Sequence, residues 1–143
     1  MIDRFVCFVA LLFIGSAIYA QASVHGRWKS VDDKTGEAKS IVEIFERNGK
    51  TYGRIVSLLI TEKDDPDPVC KQCAKDDARY NQKILGMEII RDLRKSGKEY
   101  VEGTILDPEV GKVYRCKIWL EADELKVRGY LGPLWRTQTW KKA

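Results

Sequence analysis

The fold is decided by the stretch Leu125-Lys-Val-Arg-Gly-Tyr-Leu-Gly-Pro-Leu-Trp-Arg-Thr-Gln-Thr-Trp140, read together with Gly26-Arg-Trp28 near the beginning of the chain. A Gly-x-Trp that opens a first strand and an Arg in a last strand are typical of a closed antiparallel barrel, where the two ends of the sheet meet. We therefore expect the segments between these two stretches to supply the remaining strands of a barrel.

Almost every segment after Ser23 alternates apolar and polar residues with a period of two and ends at a Gly, Asn or Asp turn. This pattern predicts antiparallel strands that follow one another in sequence. The predicted strands are residues 26–31, 38–46, 51–59 or 60, 86–93, 99–106, 112–120, 125–131 and 134 or 135–141. Eight short strands joined mostly by tight turns favour an all-β, up-and-down barrel, with an open sandwich as the alternative. A short helical turn is the one other element expected, within residues 76–85.

The first residues are typical of a cleaved signal peptide over residues 1–22, which leaves one domain over residues 23–143. An apolar run from Phe5 to Ile14 is followed by small residues, and Ala20-Gln-Ala22 fits a cleavage site after Ala20 or Ala22. The run is shorter than the roughly 20 apolar residues of a transmembrane helix, so we expect no stable membrane insertion after cleavage. Cys7 lies inside the run, which argues against a lipid anchor. The expected location is secreted or periplasmic.

The composition excludes one class of partner and fits export. The chain has 25 Lys and Arg against 21 Asp and Glu, a net charge of +4, and its basic residues form no long run. Nucleic acid is therefore not an expected partner. Once Cys7 is removed, Cys70, Cys73 and Cys116 remain, and an oxidising compartment favours one disulfide and one thiol left over.

The pair Cys70-Lys-Gln-Cys73 lies in a long polar loop, residues 61–82. We expect a structural disulfide that fixes the shape of this loop. Thiol–disulfide exchange is the weaker alternative, because the neighbouring carboxylates raise a thiol pKa rather than lower it. Zinc would need four ligands, and only Cys116 and His25 could complete the set. Cys116 alternates with apolar residues, so no metal site is predicted.

Five residues are candidates for contact with a ligand in the barrel interior. Arg128 and Lys112 offer cations to an acidic group, and an inward Arg128 would need a partner because a buried unpaired charge is costly. Tyr52, Tyr100 and Tyr114 are candidate lining residues, although aromatic residues at strand spacing also form ordinary core or surface pairs. No Ser/His/Asp or Cys/His arrangement is found, so neither an enzyme nor a cofactor is predicted.

Several motifs occur in order along the chain. They are Gly26-Arg-Trp28, Lys39-Ser-Ile-Val-Glu-Ile44, Asn48-Gly49 with Tyr52-Gly53, Cys70-x-x-Cys73, Ile105-Leu-Asp-Pro108 with Gly111-Lys112-x-Tyr114, Leu125-Lys-Val-Arg-Gly-Tyr130 and Arg136-Thr-Gln-Thr-Trp140. Together they resemble the DUF2147 family of exported bacterial proteins over essentially the whole mature chain. The resemblance implies a lipocalin-like (calycin) barrel in the periplasm or outside the cell, and it implies no reaction.

The same resemblance implies how the barrel closes. In lipocalin-like barrels the Trp of the first strand packs against an Arg of the last strand, and here these residues would be Trp28 and Arg136. Pro133-Leu-Trp135 departs from the small, Gly-rich approach to that Arg which the family leads us to expect.

Three functions are compatible with these observations. The favoured one is binding of a small amphipathic or hydrophobic ligand in the barrel interior. The loop of residues 61–82, which we call the stapled loop because of its expected Cys70–Cys73 disulfide, would cover or shape the mouth of the barrel. An interaction module of the envelope or host surface, with a filled barrel and no ligand, is the first alternative. A thiol–disulfide redox role of Cys70 and Cys73 is the second.

Overall fold

The computed structural model describes residues 15–17 and 22–143, and most of the predicted signal peptide, including Ala20, lies outside these residues. The described residues form eight β-strands and no helix. The strands are β1 (Gly26–Val31), β2 (Ala38–Arg47), β3 (Lys50–Leu58), β4 (Glu88–Ser96), β5 (Glu99–Asp107), β6 (Lys112–Glu121), β7 (Glu124–Leu131) and β8 (Leu134–Lys142). Within the described ranges, no helix is long and apolar enough to cross a membrane.

The strands close into one antiparallel barrel in sequence order, as predicted. Each strand pairs with the next, and β8 returns to β1 through the pairs Trp28 with Lys142 and Lys29 with Lys141. This closure removes both free sheet edges, which otherwise invite pairing with other chains. The open sandwich considered as the alternative is therefore excluded.

The alternation of strand direction gives the barrel two unlike ends. One end holds the β2–β3, β4–β5 and β6–β7 turns together with the start of β1 and the end of β8, and we call it the closed end. Asn48 and Gly49 form its β2–β3 turn with φ angles of 53° and 77°, as the Asn-Gly pair predicts for a tight hairpin. The other end, which we call the mouth, holds the β1–β2, β3–β4, β5–β6 and β7–β8 connections.

The interior of the closed half is filled by large apolar side chains. Residues paired across antiparallel strands point to the same face, so the register identifies one inward row on each strand. Trp28, Leu93, Ile118, Leu125 and Trp140 belong to these rows, and none is more than 2 % exposed. Each such side chain contributes about 2 kcal/mol through the apolar surface that it removes from water.

Two details of the β3–β4 region differ from the prediction. Strand β4 begins at Glu88 and not at residue 86, because Gly86 adopts a φ of 88° and Met87 N–H donates to Ile84 O in a turn. The helical turn expected within residues 76–85 is replaced by separate turns, such as that in which Tyr80 N–H donates to Asp77 O.

The long β3–β4 connection folds back on itself and packs beside the mouth. Val69 bridges to Lys83, and Cys70 N–H donates to Gln82 O at 2.9 Å. The predicted disulfide joins Cys70 to Cys73. Leu106 lies on the outward row of β5 and is nevertheless only 1 % exposed. The anchored part of the loop therefore covers the outer wall of the barrel and shapes one side of the mouth.

Candidate functional site

The inward side chains of β6 and β8 become more accessible from the closed end to the mouth. Along β8 the inward residues are Trp140, buried, then Gln138, half-buried, and then Arg136, whose side chain is 74 % exposed. Along β6 the buried Cys116 is followed by the half-buried Tyr114. The inward faces of β6 and β8 are therefore accessible at the mouth. We call the space that they border the cup, and the apolar core of the closed half lies below it.

A chain of hydrogen bonds runs up the wall of this cup from the floor to the mouth. Trp140 Nε1–H donates to Gln138 Oε1 at 2.7 Å, and Gln138 Nε2–H donates to Asp33 Oδ1 at 2.7 Å. Arg136 Nη1 donates to the other carboxylate oxygen of Asp33 at 3.1 Å. Asp33 belongs to the β1–β2 loop, which reaches β8 because closure makes these strands neighbours. The cup thus presents an amide, a guanidinium and a carboxylate at its mouth.

The β1–β2 loop is held in shape by a second aspartate. The backbone N–H groups of Thr35 and Lys34 donate to Asp32 Oδ1, and Lys39 Nζ lies 3.1 Å from Asp32 Oδ2. The two backbone donors and the Lys39 ammonium lower the pKa of Asp32 to about 2. Lys39 also contacts the carboxylate of Glu109 in the β5–β6 turn. These contacts connect two of the loops that surround the mouth.

The remaining polar groups of the interior are either hydrogen-bonded or unreactive. Ser30 Oγ and Ser40 Oγ are 2.6 Å apart, so the two buried hydroxyl groups bond each other. Cys116 is a free thiol, 2 % exposed, and burial raises its pKa to about 12. Since the thiolate is the nucleophilic form, this cysteine is inert in the folded protein.

The structure brings one of the five predicted ligand residues into the wall of the cup. Tyr114 lies there, facing Gly129 and Ile105, where a Cβ on Gly129 would meet the Tyr114 side chain at 3.5 Å. Tyr100 also points inward, but it lies at the closed end with its ring edge-on to His25 at a centroid distance of 5.8 Å. Lys112 is exposed at the start of β6, on the rim of the mouth.

Arg128 and Tyr52 point outward, so the prediction that they contact an interior ligand is wrong. Arg128 pairs with Lys117, whereas its neighbour Val127 pairs inward with Ile118. Its guanidinium lies over the rings of Trp119 and Trp135, at 5.0 and 5.7 Å from their centroids. These outer aromatic faces give Arg128 the partners that the interior does not supply.

Tyr52 has equally well-defined partners on the outer wall. Its ring stacks on Phe45 at a centroid distance of 5.9 Å, and its hydroxyl donates to Asp92 Oδ1 at 2.9 Å. The guanidinium of Arg47 lies over the same ring at 4.1 Å. These contacts make Tyr52 part of a surface cluster.

The predicted closure of the barrel by Trp28 and Arg136 is also wrong. Trp28 is level with Lys142 at the closed end, and Arg136 lies six residues nearer the mouth, about 20 Å along the strand. Trp28 Nε1–H donates instead to Val24 O at 2.8 Å. The aromatic residue that β8 contributes to the closed end is Trp140. Arg136 therefore does not close the barrel, and its position near the mouth makes it a residue of the candidate site.

Among the polar residues of the cup, sequence reasoning missed Asp33 and Gln138. Gln138 could have been found, because it lies midway between Arg136 and Trp140 at the period of a strand and therefore shares their face. Nothing in the local sequence distinguishes Asp33 from the other acidic residues of its turn. Its role depends on which strand lies across the closure from β1.

The cysteine pair and the acidic residues do not form a second chemical site. Cys70 and Cys73 are 0 % and 4 % exposed, and thiol–disulfide exchange requires access for the attacking thiolate. The pair is therefore best explained as a staple within the loop. Among the described residues, no group of three or more His, Cys, Asp or Glu side chains could hold a metal ion.

Comparison with known proteins identifies a family and a fold. The model of a family described as an uncharacterised protein conserved in bacteria (DUF2147) matches residues 26–142. A solved structure, the protein HP1028 of Helicobacter pylori, described as belonging to the lipocalin family, is similar with a TM-score of 0.72 at 23 % identity. The match covers 86 % of this chain and 84 % of that protein. No curated protein matches the chain significantly.

Proposed function

The chain belongs to the DUF2147 family and has a lipocalin-like barrel, and from this premise we propose that it is an exported protein that binds a small amphipathic or hydrophobic ligand. The ligand lies in the upper half of the barrel, above the floor formed by Trp140 and its apolar neighbours. The observation that carries this proposal is that the inward side chains of β6 and β8 become accessible towards the mouth, since eight-stranded barrels have room for one small ligand.

The cup offers both apolar and polar side chains, as an amphipathic ligand requires. Ile105, Tyr114 and Gly129 offer an apolar wall without a bulky side chain at its centre. Arg136 and Gln138 stand above this wall and can bond the polar end of the ligand. Affinity then comes from burial of apolar ligand surface, while the polar groups set its orientation. An anionic end suits the site best, because it replaces Asp33 as the partner of the Arg136 guanidinium.

Export is supported by two independent features of the chain. The first is the predicted signal peptide over residues 1–22. The second is the disulfide between Cys70 and Cys73, since stable disulfides are typical of oxidising compartments.

Native mass spectrometry of the protein purified after export by its own host tests the proposal directly. A bound small molecule should be found, and a fluorescent fatty acid should bind in its place once the molecule is removed. Substitution Gly129→Leu should weaken binding of this probe by more than about ten-fold, because it takes the space of several ligand carbons, each worth about 0.8 kcal/mol.

Two further variants distinguish a loss of space in the cup from a general loss of folded structure. Gly129→Ala adds a single carbon with ordinary contacts and should bind the probe nearly as well as the wild type. Arg136→Gln should weaken binding of the carboxylate by roughly ten-fold, the value of a hydrogen bond to a charged group. If Gly129→Leu binds the probe unchanged, or if repeated preparations hold no small molecule and bind no probe, the proposal is wrong.

A further inference from the structure

The mouth end of the barrel is edged by exposed apolar side chains. Among the described residues, most large apolar side chains that are exposed lie at this end, and those on the β5–β6 and β7–β8 sides are Val110, Val113, Leu131, Leu134 and Trp135. Leu59 and Ile60, which follow β3, are exposed on the other side of the mouth. Exposed apolar side chains gathered on the β5–β6 and β7–β8 side mark this side as a candidate contact surface.

The β7–β8 turn is the most prominent part of this surface. Leu131, Leu134 and Trp135 are 58, 70 and 62 % exposed. The two strands meet through Gly132 and Pro133, and Gly132 adopts a φ of 58° that a tight turn requires. We call residues 131–135 the apolar tip. Its three large side chains contribute little to the fold, because each leaves most of its surface in water.

The wall behind the apolar tip carries positive charge without acidic residues. Residues 112–120 and 125–143, which form most of β6, β7 and β8, contain eight Lys and Arg and no Asp or Glu. Five of the eight lie on outward rows, namely Arg115, Lys117, Lys126, Arg128 and Lys141. On the outer face Arg128 lies between the rings of Trp119 and Trp135, and Arg115 lies over Tyr130 at 5.8 Å. We call this surface the cationic wall. Within the described chain, no carboxylate forms an ion pair with Arg115 or Arg128.

We propose that the apolar tip inserts reversibly into the headgroup region of an anionic phospholipid bilayer and that the cationic wall contacts the lipid phosphates. Exposed Leu and Trp side chains next to Lys and Arg are what an interfacial membrane contact requires. Trp and Tyr favour the level of the headgroups, and basic side chains add attraction to anionic lipid. A soluble anionic polymer satisfies the cations but offers no apolar phase for Leu134 and Trp135.

The charge distribution also sets the orientation of the docked protein. The opposite side of the mouth carries the exposed carboxylates Asp64, Asp65 and Asp67, which an anionic bilayer repels. The barrel therefore tilts so that β6, β7 and β8 face the lipid and the β3–β4 loop faces away. This contact is independent of whether the cup holds a ligand, so failure of either proposal leaves the other standing.

Sedimentation of the exported protein with vesicles of phosphatidylcholine, alone or mixed with phosphatidylglycerol, tests the proposal. Binding to the mixed vesicles should be stronger and should fall as salt is added, because salt screens exposed charges. The double variant Leu134→Ser and Trp135→Ser should lose more than about ten-fold in vesicle affinity, since it removes most of the apolar surface that is inserted. The matched control Leu85→Ser changes a leucine that is 50 % exposed in the β3–β4 connection, on the side that faces away from the lipid, and should bind as the wild type does.

A second pair of variants tests the cationic wall. Arg115→Gln with Arg128→Gln should weaken binding to the mixed vesicles by more than about ten-fold, at roughly five-fold for each basic side chain near an anionic surface. Lys95→Gln with Lys98→Gln removes the same charge at the closed end and should have little effect. Thermal unfolding of each variant establishes that it is folded.

Three outcomes would overturn the proposal. The first is absence of binding to mixed vesicles at low salt. The second is binding that the Leu134→Ser and Trp135→Ser variant retains in full. The third is binding to a soluble polyanion that competes completely with vesicles and is insensitive to the tip variant, which would assign the cationic wall to an anionic polymer.

Discussion

The ion pair between Asp77 and Arg79 leads to a stability prediction that can be worked out from its geometry. Asp77 Oδ1 accepts from Arg79 Nε at 3.0 Å, and Oδ2 accepts from Nη2 at 2.8 Å. The remaining guanidinium nitrogen, Nη1, donates to Glu88 O at the start of β4. The two side chains are only 16 % and 8 % exposed. This pair therefore attaches the stapled loop to the barrel wall.

The magnitude follows from the pKa of the carboxyl group. The hydrogen bonds from Arg79 lower the pKa of Asp77 from 3.8 to about 2. One pKa unit corresponds to about 1.4 kcal/mol, so the ionised carboxylate contributes about 2 kcal/mol to stability. Because the folded pKa lies below the unfolded one, this contribution is complete above pH 3.8 and is lost as the pH falls towards 2.

Urea unfolding of the wild type and of Asp77→Asn measures this contribution. Near neutral pH the variant should be less stable by about 2 kcal/mol, and the difference should shrink as the pH falls through about 2, below which the Asp77 carboxyl is protonated in the folded protein as well. Asp76→Asn is the matched control, because Asp76 is exposed and belongs to the same loop. A difference below about 0.5 kcal/mol at neutral pH, the usual effect of a surface substitution, would refute the reasoning. A difference that persists unchanged at low pH would refute it as well.

Three further predictions concern the loops, the core and the cup. Gly111→Ala should destabilise the protein by more than about 2 kcal/mol in urea unfolding, because its Cβ would lie 1.8 Å from a backbone oxygen of the stapled loop at a φ of 72°. Gly97→Ala, at a similar φ and in open space, should cost only about 1 kcal/mol, and equal losses would contradict the packing of the loop against this turn. Cys116 should resist thiol reagents at neutral pH until the protein is unfolded, when its thiol reacts; reaction in the native state would contradict its burial. Asp33→Ala should raise affinity for a carboxylate probe by about two- to five-fold, the value of an exposed ion pair, because it frees Arg136; unchanged or weaker binding in a titration would exclude Arg136 as the anion contact.

The pairing of strands was predictable from the sequence because it depends on local chemistry. Asn48 and Gly49 supply the two positive φ angles of a tight hairpin, and the alternation on either side of them marks the strands that they join. The predicted strand ranges likewise left Gly132 and Pro133 between the last two strands, where the structure has the β7–β8 turn. The pair Cys70 and Cys73 was correctly predicted to be joined, since three residues of separation leave few other arrangements in a loop.

Only the tertiary structure decided which face of each strand points inward and which residues share a level. Alternation assigns the residues of a strand to two faces but does not say which face points inward. On β7, Val127 lies on one face and Arg128, stacked on aromatic rings, lies on the other. Which of the two points inward depends on the register with the neighbouring strands. Trp28 and Arg136 lie on the first and last strands, which are neighbours in the closed barrel. The register of these antiparallel strands nevertheless places Trp28 at the closed end and Arg136 near the mouth. Leu106 lies on an outer face and is buried in one cluster with Cys70 and Cys73, which are far from it in sequence. The eight strands and their turns were thus determined by local sequence, whereas the cup, its ligand contacts and the apolar tip follow from non-local contacts that form when the sheet closes.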